Sequence, residues 1–174
     1  MVKGQSFVIE LGDWLHRIYP HTKNLFLYRH AETWLHSGLR AYSRVVEETD
    51  EEYRATEKRR RELLGSLVPA IAQYDAELPL SHASMLALMW LTAMERYVQY
   101  SRMGIEMLAI RYASWLSAPR KTAEAMLEYC GCKPTKMTAI YETLNRDSQA
   151  DSHLSREALQ QHNRVMDELE LEEL

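Results

Sequence analysis

The stretch Leu25-Phe-Leu-Tyr-Arg29-His-Ala-Glu-Thr-Trp-Leu-His-Ser37 decides the fold. Asn24–Tyr28 is a short apolar run without a helical stripe, the pattern of a buried parallel strand. An arginine follows. From about Ala31 to Glu47 the spacing is helical, with Leu35, Leu39, Tyr42 and Val46 on one side. In open α/β sheets, ligands collect at the carboxyl ends of strands. A guanidinium placed there presents a rigid fork that matches phosphate oxygens, and the free N–H groups of the following helix also favour an anion. Ser37, eight positions after Arg29, shares a helical side with Thr33, Arg40 and Arg44. Arg29 and Ser37 are therefore the candidate anion-binding pair. A plainer reading stays open: Arg29 ends a strand and pairs with a surface glutamate such as Glu32, and the helix arginines are solvated.

Outward from this unit, Phe7, Val8, Leu11, Leu15 and Ile18 predict a helix from about Ser6 to Tyr19, closed by Pro20. Gly104 opens a second strand-like run, of which Ile105–Ile110 is expected to lie parallel to Asn24–Tyr28. Pro119 then starts a helix that ends at Cys130-Gly131. Between the strands, Glu47 to Glu62 is densely charged, including Lys58-Arg-Arg-Arg61, and reads as a solvent-facing helix or a mobile excursion. Leu63 to Tyr74 reads as a helix interrupted at Pro69. Ser81 is a good N-cap for an apolar helix from His82 to about Ser101. Its Met85, Leu86, Met89, Trp90, Ala93 and Tyr97 are expected to bury, as core and not as a cofactor box. Thr135 to Leu144 is a short helix, Asn145 to Ser152 a polar loop and Leu154 to Leu169 a helix. Residues 165–174 form an acidic, frayed tail.

The 174 residues suffice for one domain with a real core, and residues 1–174 are read as such. With 21 basic and 25 acidic residues the net charge is −4, so nothing global points to nucleic acid and any anion site must be local. No apolar run is long enough to cross a bilayer, and Met-Val-Lys-Gly-Gln-Ser is not a secretory signal. Cys130 and Cys132 are too close for a good structural disulfide and have no second pair to complete a zinc site. A reduced, cytoplasmic protein is expected. His30 and His36 are six apart, which is not a helical metal-ligand spacing, so no metal is predicted. Two parallel strands need both faces covered and usually more partners. The chain therefore reads as part of a larger α/β sheet, with homo-oligomerisation a possible consequence.

Three segments carry a family resemblance. Pro20-His-Thr-Lys-Asn-Leu-Phe-Leu-Tyr-Arg-His30, continuing to Ser37, is similar to a pattern of proline, lysine, apolar strand, arginine and a serine eight residues later. Ile110-Arg-Tyr-Ala-Ser-Trp-Leu116 with Pro119 is similar to a strand, a tyrosine-containing turn and a helix. Asp147-Ser-Gln-Ala-Asp-Ser152 with Leu154-Ser-Arg156 looks like a polar closing segment. Together they resemble the carboxyl-terminal half of the sulfotransferases that use 3′-phosphoadenosine 5′-phosphosulfate (PAPS). The resemblance implies a partial three-layer, P-loop-like α/β fold, helix-rich with two short parallel strands. It also implies PAPS as co-substrate, sulfuryl transfer to a hydroxyl or amine of a small molecule or glycan, and a 3′-phosphate clamp of Arg29 and Ser37.

The departures bear on chemistry. The family's glycine-rich, lysine-bearing loop has no counterpart here. Lys3-Gly-Gln5 looks like a Lys-x-His segment, but Gln5 stands at the histidine position and cannot act as a base. The Arg-Lys-Gly loop is missing, and Asp147–Ser152 is expected to stand in its place. The catalytic base is unknown. The alternative is a non-catalytic fragment or helical interaction domain built on the same packing.

Overall fold

Residues 6–42, 50–74, 80–133, 137–144 and 150 are described by the computed structural model. The chain divides into two units, Met1–Ala118 and Pro119–Leu174. The first runs through a 3-10 helix (Ser6–Leu11), α1 (Gly12–Ile18), β1 (Asn24–Tyr28), α2 (Ala31–Tyr42), α3 (Asp50–Leu67), α4 (Pro69–Ala72), α5 (His82–Arg102), β2 (Met107–Arg111) and α6 (Tyr112–Ser117). The second holds α7 (Pro119–Tyr129) and α8 (Met137–Leu144). Among the described residues the protein is thus helix-rich with two short parallel strands, consistent with a mixed α/β class.

β1 and β2 pair in parallel, in a register that sets Asn24 opposite Met107 and Tyr28 opposite Arg111. Alternation along β1 sends Phe26 to one face and Leu25 and Leu27 to the other. α5 covers the first face. There Phe26 stacks on Tyr97, ring centroids 4.9 Å apart. Leu25 and Leu27 remain 37% and 57% exposed.

The core lies where α3, α4 and α5 meet. Ile71 and Met85 are fully buried, with Val68 and Leu80 beside them and Leu64, Leu67, Leu88 and Met89 packed around. The methionine face of the central helix is core, as its spacing predicts. Ser81 caps α5: its Oγ accepts the Ser84 N–H at 3.1 Å. The charged stretch is helical from Asp50, and α3 continues to Leu67, so Leu63–Leu67 belong to it and not to a separate helix. The break falls at Val68 because a residue before proline is driven out of the α region. Val68 is extended, at φ −128° and ψ 100°.

Three further features differ from expectation. The helix expected over Ser6–Tyr19 is split into a 3-10 turn and α1. The second strand starts at Met107, not Ile105, because α5 ends in a Schellman motif. Gly104 takes φ +78°, its N–H bonds Ser101 O at 3.1 Å, and the Ile105 N–H bonds Tyr100 O at 2.9 Å. Ile105 and Tyr100, the positions whose apolar contact accompanies this motif, are both buried. The tyrosine-containing turn after β2 is a short helix, α6.

In the second unit, α7 ends in a second Schellman motif at Gly131, φ +66°. The Gly131 N–H bonds Glu128 O at 2.9 Å and the Cys132 N–H bonds Leu127 O at 2.8 Å. α8 is tied to α7 by a Tyr141 hydroxyl donating to Glu124 and by Arg120 over the Tyr141 ring. The expected loop over Asn145–Ser152 (Ala150, a turn, excepted), the helix over Leu154–Leu169, the acidic tail, the Lys3–Gln5 segment and Arg44 lie outside the described residues.

Candidate anion-binding site

Parallel pairing in this register carries the carboxyl ends of β1 and β2 to the same edge. Arg29 follows β1 directly, and Tyr112 follows β2 directly. Their side chains meet: the Arg29 guanidinium lies over the Tyr112 ring, 3.8 Å from its centroid. Such a contact restrains the arginine through the ring quadrupole while consuming none of its five N–H donors. The backbone of Arg29 is fixed independently, since Trp90 of α5 donates its indole N–H to Arg29 O at 3.0 Å.

The chain then turns into α2 at His30. The His30 carbonyl accepts the Trp34 N–H at 2.9 Å and the Thr33 hydroxyl at 3.0 Å. α2 thus begins two residues after Arg29. Ser37 sits half-buried two turns along α2. It precedes Gly38, whose lack of a side chain lets α2 approach α5; a Cβ there would lie 3.0 Å from Leu86 Cδ1. Among the described residues no hydrogen bond joins Arg29 to Ser37. The two belong to consecutive parts of one strand–helix unit.

The ion pairs formed among the described residues join Arg17 to Asp13, Lys23 to Glu106 and Arg96 to Glu10. Arg29 is in none of them, so the pairing with Glu32 left open by the sequence is not formed. Arg111, exposed at the end of β2, is in none of these pairs either; Glu106 bonds Lys23 at 3.2 Å. Two cations thus stand at one sheet edge. Sequence reasoning missed Trp90 as the anchor of this corner. It also missed Tyr112 as the platform for Arg29, because only the register that sets Tyr28 opposite Arg111 brings residue 29 beside residue 112.

A concavity of about 530 Å³ elsewhere is lined by Met94, Glu95, Val98, Gln99, Arg102 and Met103, all on or just past α5, and includes neither Arg29 nor Ser37. Among the described residues there is no cluster of three or more metal-ligating side chains, and no helix is long and apolar enough to cross a membrane. No family model, curated protein or solved structure matches the chain.

Proposed function

We propose that this chain is the 3′-phosphate-binding part of a PAPS-dependent sulfotransferase with a three-layer, P-loop-like fold. The observation that carries the reading is the cationic strand edge: Arg29, stacked on Tyr112, beside the start of α2 and the end of β2. The donor set fits a phosphate. Arg29 would supply in-plane N–H groups, Ser37 a hydroxyl, and Arg111 further positive charge. PAPS would supply the sulfuryl group, to be passed to a hydroxyl or amine of a small molecule or glycan. The residues named here bind and orient; none is assigned to the transferring group. Transition-state charge must be met where it develops, so the 174-residue chain by itself is expected to bind nucleotide without turnover. A cytoplasmic setting goes with this reading, and nucleic acid is not a proposed partner.

The test is titration calorimetry with adenosine 3′,5′-bisphosphate and, in parallel, adenosine 5′-monophosphate. Preference for the bisphosphate, lost in Arg29→Ala and reduced in Ser37→Ala, is the expected result. Equal binding of both nucleotides, or none, would sink the proposal.

The second reading, a non-catalytic interaction domain, is favoured by a different observation. Leu25 and Leu27 present a bare sheet face, and Trp14 and Ile18 of α1 are 62% and 61% exposed. Apolar surface of that kind marks contact with another chain. Self-association that Leu27→Asp abolishes, in a protein that ignores both nucleotides, would favour this reading over the first.

A further inference from the structure

The end of α7 carries two thiols on either side of one left-handed glycine. Cys130 is the last residue before the turn and half-buried; Cys132 is the first after it and exposed. Gly131, at φ +66°, reverses the backbone between them. The Schellman bonds from Gly131 to Glu128 and from Cys132 to Leu127 hold that reversal in place. The Cys132 thiol is turned back over the peptide it has just left, donating to Cys130 O with sulfur and oxygen 3.8 Å apart. Two Cα atoms separated by a single residue can never be farther apart than about 7.6 Å, twice the spacing of neighbours. A helix-like bend at the middle residue brings them within the range that disulfides span. Both cysteines thus stand on one tight turn, and neither is engaged in a metal cluster or disulfide among the described residues.

From this geometry we infer that Cys130 and Cys132 form a reversible dithiol–disulfide site, whose partner is a small-molecule disulfide such as oxidised glutathione. The exposed Cys132, as thiolate, attacks one sulfur of the external disulfide and releases one small thiol, leaving a mixed disulfide. Cys130, as thiolate, then attacks the Cys132 sulfur, closes the intramolecular bond and expels the second small thiol. Two electrons pass from the protein to the external disulfide, and the protons of the two cysteines end on the two released thiols. Ring closure across one residue makes the second attack intramolecular, which favours it over a second external encounter. It also forces the bond into a small ring. A strained, exposed disulfide is readily reduced again, so the site cycles instead of serving as a structural staple.

The full-length chain is equilibrated in buffers of varied oxidised-to-reduced glutathione ratio, quenched with an alkylating agent and weighed intact. Circular dichroism on the same samples verifies that the fold persists. The expected wild-type result is joint loss of both alkylation sites as the ratio rises, with a mass decrease of two hydrogens and recovery on adding reduced glutathione. In Cys130→Ser the remaining thiol should stop at a stable glutathione adduct, because nothing can resolve it. Two thiols still alkylated in excess oxidised glutathione would overturn the inference. So would wild-type protein that accumulates glutathione adducts or disulfide-linked dimers.

Discussion

The guanidinium of Arg29 lies over the ring of Tyr112, 3.8 Å from its centroid, and this contact links the ends of two strands remote in sequence. It makes the arginine's orientation depend on a residue that need not touch a ligand. Tyr112→Leu should therefore weaken adenosine 3′,5′-bisphosphate binding by about 0.5–1 kcal/mol, the worth of an exposed cation–π contact. Arg29→Lys, which keeps charge but loses the fork, should cost about 1–3 kcal/mol. Calorimetric titration of both variants checks the order. A larger loss for Tyr112→Leu would mean the ring itself contacts the ligand.

A second prediction concerns the ion pair that fastens the amino-terminal turn to α5. Arg96 Nε donates to Glu10 Oε2 at 2.9 Å, and the Glu10 side chain is only 16% exposed. Its other oxygen, Oε1, is buried and has no hydrogen-bond partner among the described residues. Arg96→Ala would strand a buried carboxylate and should lower stability by roughly 1–3 kcal/mol. Adding Glu10→Gln should restore part of that loss. Urea midpoints measure both; equal midpoints for the single and double variants would show that the carboxylate is not held in place.

Gly12, the first residue of α1, faces the Tyr100 ring of α5. A Cβ on it would stand 2.5 Å from Tyr100 Cε2, a ring that is itself 3% exposed. Alanine normally gains roughly 0.5–1 kcal/mol over glycine in a helix. Here the clash with a rigid buried ring is larger, so Gly12→Ala should destabilise by about 1–3 kcal/mol. Tyr100→Leu in the same chain should reduce the penalty. A raised melting temperature for Gly12→Ala would refute the packing.

His82 opens α5 and is held neutral. Burial, and then the charge of Arg60, lower its pKa from 6.5 to about 4. Between those values the unfolded chain binds the proton that the folded chain refuses, so stability from this residue is fully present above pH 6.5. It is lost progressively as the pH falls toward about 4 and changes no further below that. Melting temperatures taken at intervals from pH 7 to pH 4 should fall less steeply in His82→Gln than in the wild type. Parallel slopes would remove His82 from the account.

Much of this fold was legible because its signals are local. An apolar run with no helical stripe gave β1 at Asn24–Tyr28, and a serine before an apolar stretch gave the capped start of α5. What escaped depends on backbone geometry or on pairing. The start of β2 shifted because Ile105 completes the helix cap, a role that hydrophobicity alone does not reveal. The split of the first helix into a 3-10 turn and α1 leaves no mark in the apolar spacing, and α6 is too short to show a period. At the candidate site the residue types were readable, while the Tyr112 platform and the Trp90 anchor required knowing which strands lie side by side.

The pairing of β1 with β2 also sets a timetable for biosynthesis. The Lys23–Glu106 bond beside the first register pair joins positions 83 residues apart. At roughly 5–20 residues per second of elongation, β1 leaves the ribosome about 4–17 s before its partner strand exists. Throughout that interval its backbone N–H and C=O groups face solvent, and Leu25, Phe26 and Leu27 have no sheet to join. The nascent chain therefore depends on the helices made in between, α2 through α5, to shelter a strand edge from neighbouring chains until β2 arrives.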